Sequence, residues 1–226
     1  MNMPKILISL TIFSLAAVAA HANLLTNGSF ENTNNAFVGD ANKTDELLSG
    51  SAAIPGWTTA NAQLAWIENG NPYGISAANG SFFLDLTGYV NASPYGGVTQ
   101  SFATTIGTQY VVTFDLGYGG NNAAYGGPVS VTASAGGSSQ VFTSGSGTPN
   151  PAVWNLETFD FTATSSTTTL SLTGFSASGG AYIGLDNVDA EVAGSTTTPE
   201  PGTWSLLFAG IGLIGGSARF RRRSLR

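Results

Sequence analysis

Residues 110–116 read Tyr110-Val111-Val112-Thr113-Phe114-Asp115-Leu116, and their alternation decides the fold class. Tyr110, Val112, Phe114 and Leu116 share one face, while Thr113 and Asp115 share the other, which is the period of two of a half-buried strand. Phe159-Asp160-Phe161-Thr162-Ala163 repeats the pattern, as does Thr168-Thr169-Leu170-Ser171-Leu172-Thr173, whose β-branched threonines suit a half-solvated sheet. Working outward, residues 81–86, 98–102, 129–133, 140–143 and 183–192 read as further strands, separated by Gly, Asn, Pro and Ser. Glycine contributes 30 of the 226 residues, about twice the usual share of roughly 7 %. No segment carries a long 3.6-residue period. Eight or nine short antiparallel strands without helical crossovers predict an all-β protein, a single antiparallel β-sandwich.

The charges are distributed unevenly. Between residues 23 and 198 stands a single base, Lys43, against twelve acids, and one minus twelve gives a net of −11. Phosphate recognition needs Lys and Arg, so this body excludes nucleic acid and nucleotides as partners. There is no cysteine, hence no disulfide, thiol nucleophile or thiolate metal site. The single histidine, His21, lies within the N-terminal segment 1–22, MNMPKILISLTIFSLAAVAAHA. That segment reads as a signal peptide: Lys5, an apolar stretch, then Ala20-His21-Ala22 as a small-x-small cleavage site. Cleavage after Ala22 leaves no imidazole, which excludes Ser-His-acid chemistry and histidine-ligated metals.

The other end is a second address. Residues 194–198 form a Gly/Ser/Thr linker, followed by Pro199-Glu200-Pro201, an apolar run from Trp204 to Ala218, and a tail with Arg219, Arg221, Arg222, Arg223 and Arg226. A helix over that run reaches about 22 Å, short of a roughly 30 Å hydrocarbon core. Trp204 and snorkelling arginines close the gap, with the arginines, the membrane stop, on the cytoplasmic side. The ordered combination in residues 199–226 resembles the PEP-CTERM sorting signal of exosortase substrates. The resemblance implies export, transient retention in the inner membrane of a Gram-negative bacterium, and cleavage near Pro199-Glu200-Pro201 by an exosortase. Release into the matrix or attachment to the cell surface would follow.

The body, residues 23–193, also has a family look. Asn23-Leu24-Leu25-Thr26-Asn27-Gly28-Ser29-Phe30-Glu31 is followed by Ile54-Pro55-Gly56-Trp57, then Phe83-Leu84-Asp85-Leu86-Thr87-Gly88, Val98-Thr99-Gln100-Ser101-Phe102 and Gly184-Leu185-Asp186-Asn187-Val188. This order resembles the choice-of-anchor domains of bacterial surface proteins. It is similar, too, to the galactose-binding-like jelly rolls of carbohydrate-binding modules and of a plant cell-wall family of unknown function. The resemblance implies a jelly-roll-like sandwich in which a structural calcium joins first strand to last. Glu31 and Asp186 stand at the matching positions, and two carboxylates in so acidic a body would repel without a hard cation between them. Asp189 and Glu191 read as a solvated acidic face.

Aromatic rings are the sugar-binding candidates, because the C–H faces of sugars stack on flat rings. Trp57, Trp66, Tyr73, Tyr89, Tyr95, Tyr118, Tyr125 and Trp154 lie outside or at the ends of the clear strands, with Trp57 and Trp154 read as packing. Tyr95, Tyr118 and Tyr125 fall in Gly/Asn-rich stretches read as loops, where a rigid sandwich commonly carries binding residues. The expectation is an exported non-enzymatic protein that binds extracellular polysaccharide. Its alternatives are an acidic structural matrix protein and a glycoside hydrolase using two of Glu31, Glu68, Asp85, Asp115 and Glu157.

Overall fold

The computed structural model describes residues 23–194. The signal peptide, most of the linker, Pro199-Glu200-Pro201, the apolar run and the arginine tail lie outside the described residues. Within them, eleven strands form two sheets: β1 Thr44–Leu47, β2 Thr58–Ala60, β3 Leu64–Glu68, β4 Phe82–Asp85, β5 Gly97–Ala103, β6 Gln109–Tyr118, β7 Val129–Ala135, β8 Ser138–Thr143, β9 Val153–Thr162, β10 Thr167–Ala177 and β11 Gly184–Val192. One sheet has the order β1-β3-β4-β11-β6-β9 and the other β2-β5-β10-β7-β8. Every ladder is antiparallel. The protein is an antiparallel β-sandwich, and its helical content among the described residues is a 3-10 turn at Ala123–Tyr125.

The alternation in residues 110–116 operates as expected. Tyr110, Val112, Phe114 and Leu116 point between the sheets, where they meet Val98, Val131, Ala133, Leu170 and Leu172 from the opposite side. Edge-to-face rings fill the gap, such as Phe114 on Phe142 with centroids 5.3 Å apart. The β7–β8 hairpin turns through Gly136 and Gly137, both at positive φ (60° and 87°), a two-residue connection that matches strand twist.

Three strands, β1, β2 and β3, lie outside the segments that read as strands. β3, Leu-Ala-Trp-Ile-Glu, shows no alternation because Leu64 and Trp66 enter the core while Ala65 and Ile67 are covered on the opposite face. β1 and β2 are short edge strands of four and three residues. Tyr118 requires a correction: it is the last residue of β6, not part of a loop, and only 9 % exposed. It keeps the parity of Leu116 and so joins the core. Gly117 does not end the strand, because its outer side is roofed by Trp154, whose ring would lie 2.5 Å from an added Cβ.

A bulge in β11 between Asp186 and Asp189, with Asn187 at φ 51°, resets the pleat. Val188 and Ala190 thereby face inward, and Asp189 and Glu191 sit half-buried on the outer side. The N-terminal segment runs beside β11: Leu24 N–H donates to Ala190 O and Val188 N–H to Gly28 O. First and last segments are therefore joined by backbone hydrogen bonds.

Candidate functional site

A second, smaller apolar cluster lies on the outer face of the six-stranded sheet. Ala65 and Ile67 of β3 and Phe83 of β4 form its base, with Ile75 and Tyr182 packed on them and Tyr73, Tyr125 and Trp154 partly buried around the edge. Gly117 and Gly184 pair directly across β6 and β11, which leaves the sheet surface flat enough for Trp154 and Tyr182 to lie over them. A Cβ on Gly184 would come within 2.3 Å of Tyr182 Oη. These glycines are needed for close approach by rings.

Beside this cluster opens a cleft of about 190 Å³. Thr44, Ala65, Ile67 and Asp85 line it from β1, β3 and β4, and Tyr73 and Ile75 from the β3–β4 loop. Gly88, Tyr89 and Asn91 contribute from the β4–β5 loop, and Asn122, Ala124 and Tyr125 from the 3-10 turn, with Ala181 and Tyr182 before β11. Four of the protein's seven tyrosines thus meet at one place. Tyr73 and Tyr125 pack edge to face (6.0 Å, 79°), as do Tyr125 and Tyr182 (6.3 Å, 75°). The loops are held by amides: Asn71 Nδ2 donates to Glu68 O and Ile75 O, Asn121 Nδ2 to Pro72 O, and Ala124 N–H to Asn122 Oδ1.

Asp85 is the one carboxylate among the residues lining the cleft, and it is 7 % exposed. Its Oδ1 accepts from Thr87 N–H (2.9 Å), Thr87 Oγ1 (2.9 Å) and Ile183 N–H (3.1 Å). Burial outweighs these bonds and pushes its carboxyl up to about 7. Tyr182 Oη is buried and has no hydrogen-bond partner, a condition that costs about 1–3 kcal/mol. Tyr73 Oη lies 3.3 Å from Thr44 Oγ1. Tyr89 Oη donates to Asp40 Oδ2 at 2.8 Å, which holds Asp40 below its usual range. Partial burial together with that bond pushes the Tyr89 phenol up to about 12.

Of the three tyrosines expected to bind sugar, Tyr125 lines this cleft. Tyr95 packs half-buried against the main core, and Tyr118 is inside it. Trp57 and Trp66 are core residues and Trp154 is half-buried. Tyr182 and the floor position of Asp85 were not singled out by pattern. The signal for Asp85 is Phe83-Leu84-Asp85: Leu84 is inward, so Phe83 and Asp85 share the outer face.

Glu31 and Asp186 reach the same loop, residues 78–82, from its two ends. Glu31 Oε1 accepts from the N–H groups of Ser81 and Phe82, both at 2.7 Å. Asp186, fully buried, accepts from Asn79 N–H at Oδ2 (2.9 Å) and from Asn187 N–H at Oδ1 (2.6 Å). Burial pushes Asp186 up to about 7, with Asp115 adding to the effect. No group of three or more His, Cys, Asp or Glu side chains suited to a metal gathers among the described residues. Glu31 and Asp186 hold this loop through its backbone N–H groups.

Residues 23–183 match the family described as "Protein of unknown function (DUF642)". The chain belongs to the DUF642 family. Residues 197–223 match the PEP-CTERM protein-sorting motif, the C-terminal sorting signal of an exported protein. The DUF642 chain is 32 % identical over 194 residues to halomucin of Haloquadratum walsbyi, an alignment covering 81 % of this chain and 2 % of halomucin. It thus spans a small fraction of that relative's length. Among solved structures it is similar to the CBM22-1 xylan-binding domain from Paenibacillus barcinonensis, with 14 % identity, TM-score 0.41, and coverage of 80 % of this chain and 100 % of that one. A family 35 carbohydrate binding module from Clostridium thermocellum shows 11 % identity, TM-score 0.41 and coverage of 65 % and 97 %. No helix among the described residues is long and apolar enough to cross a membrane, and the run from Trp204 to Ala218 lies outside them.

Proposed function

We propose that the DUF642 domain binds extracellular polysaccharide in the four-tyrosine cleft, as the working part of an exported, non-enzymatic surface or matrix protein. The observation that carries this is the convergence of Tyr73, Tyr89, Tyr125 and Tyr182 around buried Asp85. Rings offer the C–H faces of a sugar a surface, while Asp85, Thr44, Asn91 and Asn122 offer polar groups to its hydroxyls. At about 190 Å³ the cleft is smaller than the ~300–1,000 Å³ of drug-sized ligand sites, so it suits one sugar unit and not a long chain segment. Binding is favoured over hydrolysis because glycosidic cleavage uses two carboxylates about 5–9 Å apart, and Asp85 is the single one lining the cleft. Export through the inner membrane and processing by an exosortase near Pro199 belong to the same proposal, supported by the PEP-CTERM match.

The test is retardation of the purified protein in polysaccharide-containing gels together with a glycan screen. Retention that falls on Tyr73→Ala or Tyr125→Ala supports the site. Retention by no glycan would overturn it in favour of an acidic structural matrix protein. Turnover of a chromogenic sugar that vanishes in Asp85→Asn would overturn the non-enzymatic part.

A further inference from the structure

Asp85 Oδ2 has a single side-chain donor within reach, the Thr87 hydroxyl at 3.1 Å. The Thr87 hydroxyl has a single proton. It faces Asp85 Oδ1 at 2.9 Å, Asp85 Oδ2 at 3.1 Å, Asn91 Oδ1 at 3.2 Å and Gly88 O at 3.5 Å. The amide nitrogen of Asn91 is turned toward Tyr89 O and does not relieve the shortage. Asp85 Oδ2 therefore retains acceptor capacity in a nearly buried place.

Nor does the protein supply a counter-charge. Lys43 is the sole base among the described residues, and it is engaged elsewhere, with Nζ 3.0 Å from Asn69 O and 3.5 Å from Glu68 Oε2. A buried carboxylate without a basic partner is satisfied by a proton or by a cation brought from outside. Aromatic rings around such a group attract cations through their π faces. An ammonium group carries three N–H donors and a positive charge, which supplies both of the missing elements.

Resting on the polysaccharide-binding proposal, we infer that the cleft selects an amino sugar, a hexosamine unit with a free, un-acetylated nitrogen. Its ammonium group sits on Asp85 and its ring lies among the tyrosines. N-acetylation removes the charge and two of the three protons, so the acetylated unit is a poor ligand. Uronic and sulfated sugars are rejected, since their negative groups would meet Asp85 with no base nearby.

The experiment is titration of the mature chain with glucosamine disaccharide, its N,N′-diacetylated form and cellobiose as a neutral control. The free amine is expected to bind roughly tenfold or more tightly than either other probe, the range of a hydrogen bond to a charged group. Asp85→Asn is expected to abolish that preference. Asp160→Asn, which removes an equal charge at an exposed position on β9, is expected to keep it and so separates a site from general attraction to an acidic protein. Equal or tighter binding of cellobiose, lost in Tyr125→Ala, would overturn the amino-sugar inference and leave the sugar site standing. Binding of none of the three probes, together with no retention in the glycan screen, would overturn both. A preference unchanged in Asp85→Asn would overturn the assignment to this carboxylate.

Discussion

Asp85→Asn should make the protein's stability less sensitive to pH. Folded Asp85 titrates at about 7, against an ordinary value of 3.8. Between those two pH values the folded protein holds a proton that the unfolded chain has released. Stability from this group is therefore complete below pH 3.8 and declines as pH rises through the folded value. At about 1.4 kcal/mol per pH unit, the interval of about three units corresponds to about 4 kcal/mol, of which about 3 kcal/mol falls between pH 5 and 8. Asparagine resembles the protonated acid at every pH. Its Oδ1 can keep the N–H groups of Thr87 and Ile183, and its Nδ2 can donate to Thr87 Oγ1. Asp186, also near 7, contributes a similar slope to both proteins and cancels in the comparison. Urea unfolding at pH 5 and pH 8 should show the stability of the variant relative to wild type rising by about 3 kcal/mol. A difference that stays constant across that range would refute the burial of an unpaired carboxylate at this position.

Tyr118→Ala should cost about 3–5 kcal/mol as a core truncation, read from the denaturation midpoint, while any folded variant keeps its glycan retention. Loss of retention at unchanged stability would return Tyr118 to the binding surface. Gly184→Ala should drive Tyr182 off its place and lower stability by about 1–3 kcal/mol in thermal melts, whereas a neutral effect would show that the ring has room to slide. Glu31→Ala removes the acceptor for two loop N–H groups and should cost about 1–3 kcal/mol. Calcium between Glu31 and Asp186 should make the wild-type melting midpoint fall with a chelator, and an unchanged midpoint would remove that site. Mass spectrometry of the exported protein should find a C-terminus close to Pro199; an intact Arg226 in the medium would contradict processing.

Much of the sandwich was legible because strand alternation is local. One residue inward and the next outward is a rule that residues 110–116 state by themselves; β6, β9 and β10 follow from it, and β4, β5, β7, β8 and β11 from short runs bounded by Gly, Asn, Pro and Ser. It failed for β3, whose two faces are both covered, and for the short edges β1 and β2, where few residues alternate. The site was less legible. Tyr125 emerged from its glycine-rich surroundings, but Tyr118 in a similar setting turned inward, since the pleat of β6 continued past Gly117 under the cover of Trp154.

Composition alone determined the absence of thiol and the scarcity of base in the body, because counting residues requires no coordinates. The terminal segments likewise announced export through contiguous patterns, and the PEP-CTERM match agrees. Only the tertiary structure could decide that Asp85 lies at the foot of a ring of tyrosines drawn from positions 73, 89, 125 and 182. These residues are far apart in the chain, and the loops that carry them meet because β4 and β11 are neighbours in one sheet. The distance between side chains depends on strand order and register, which a local pattern does not encode.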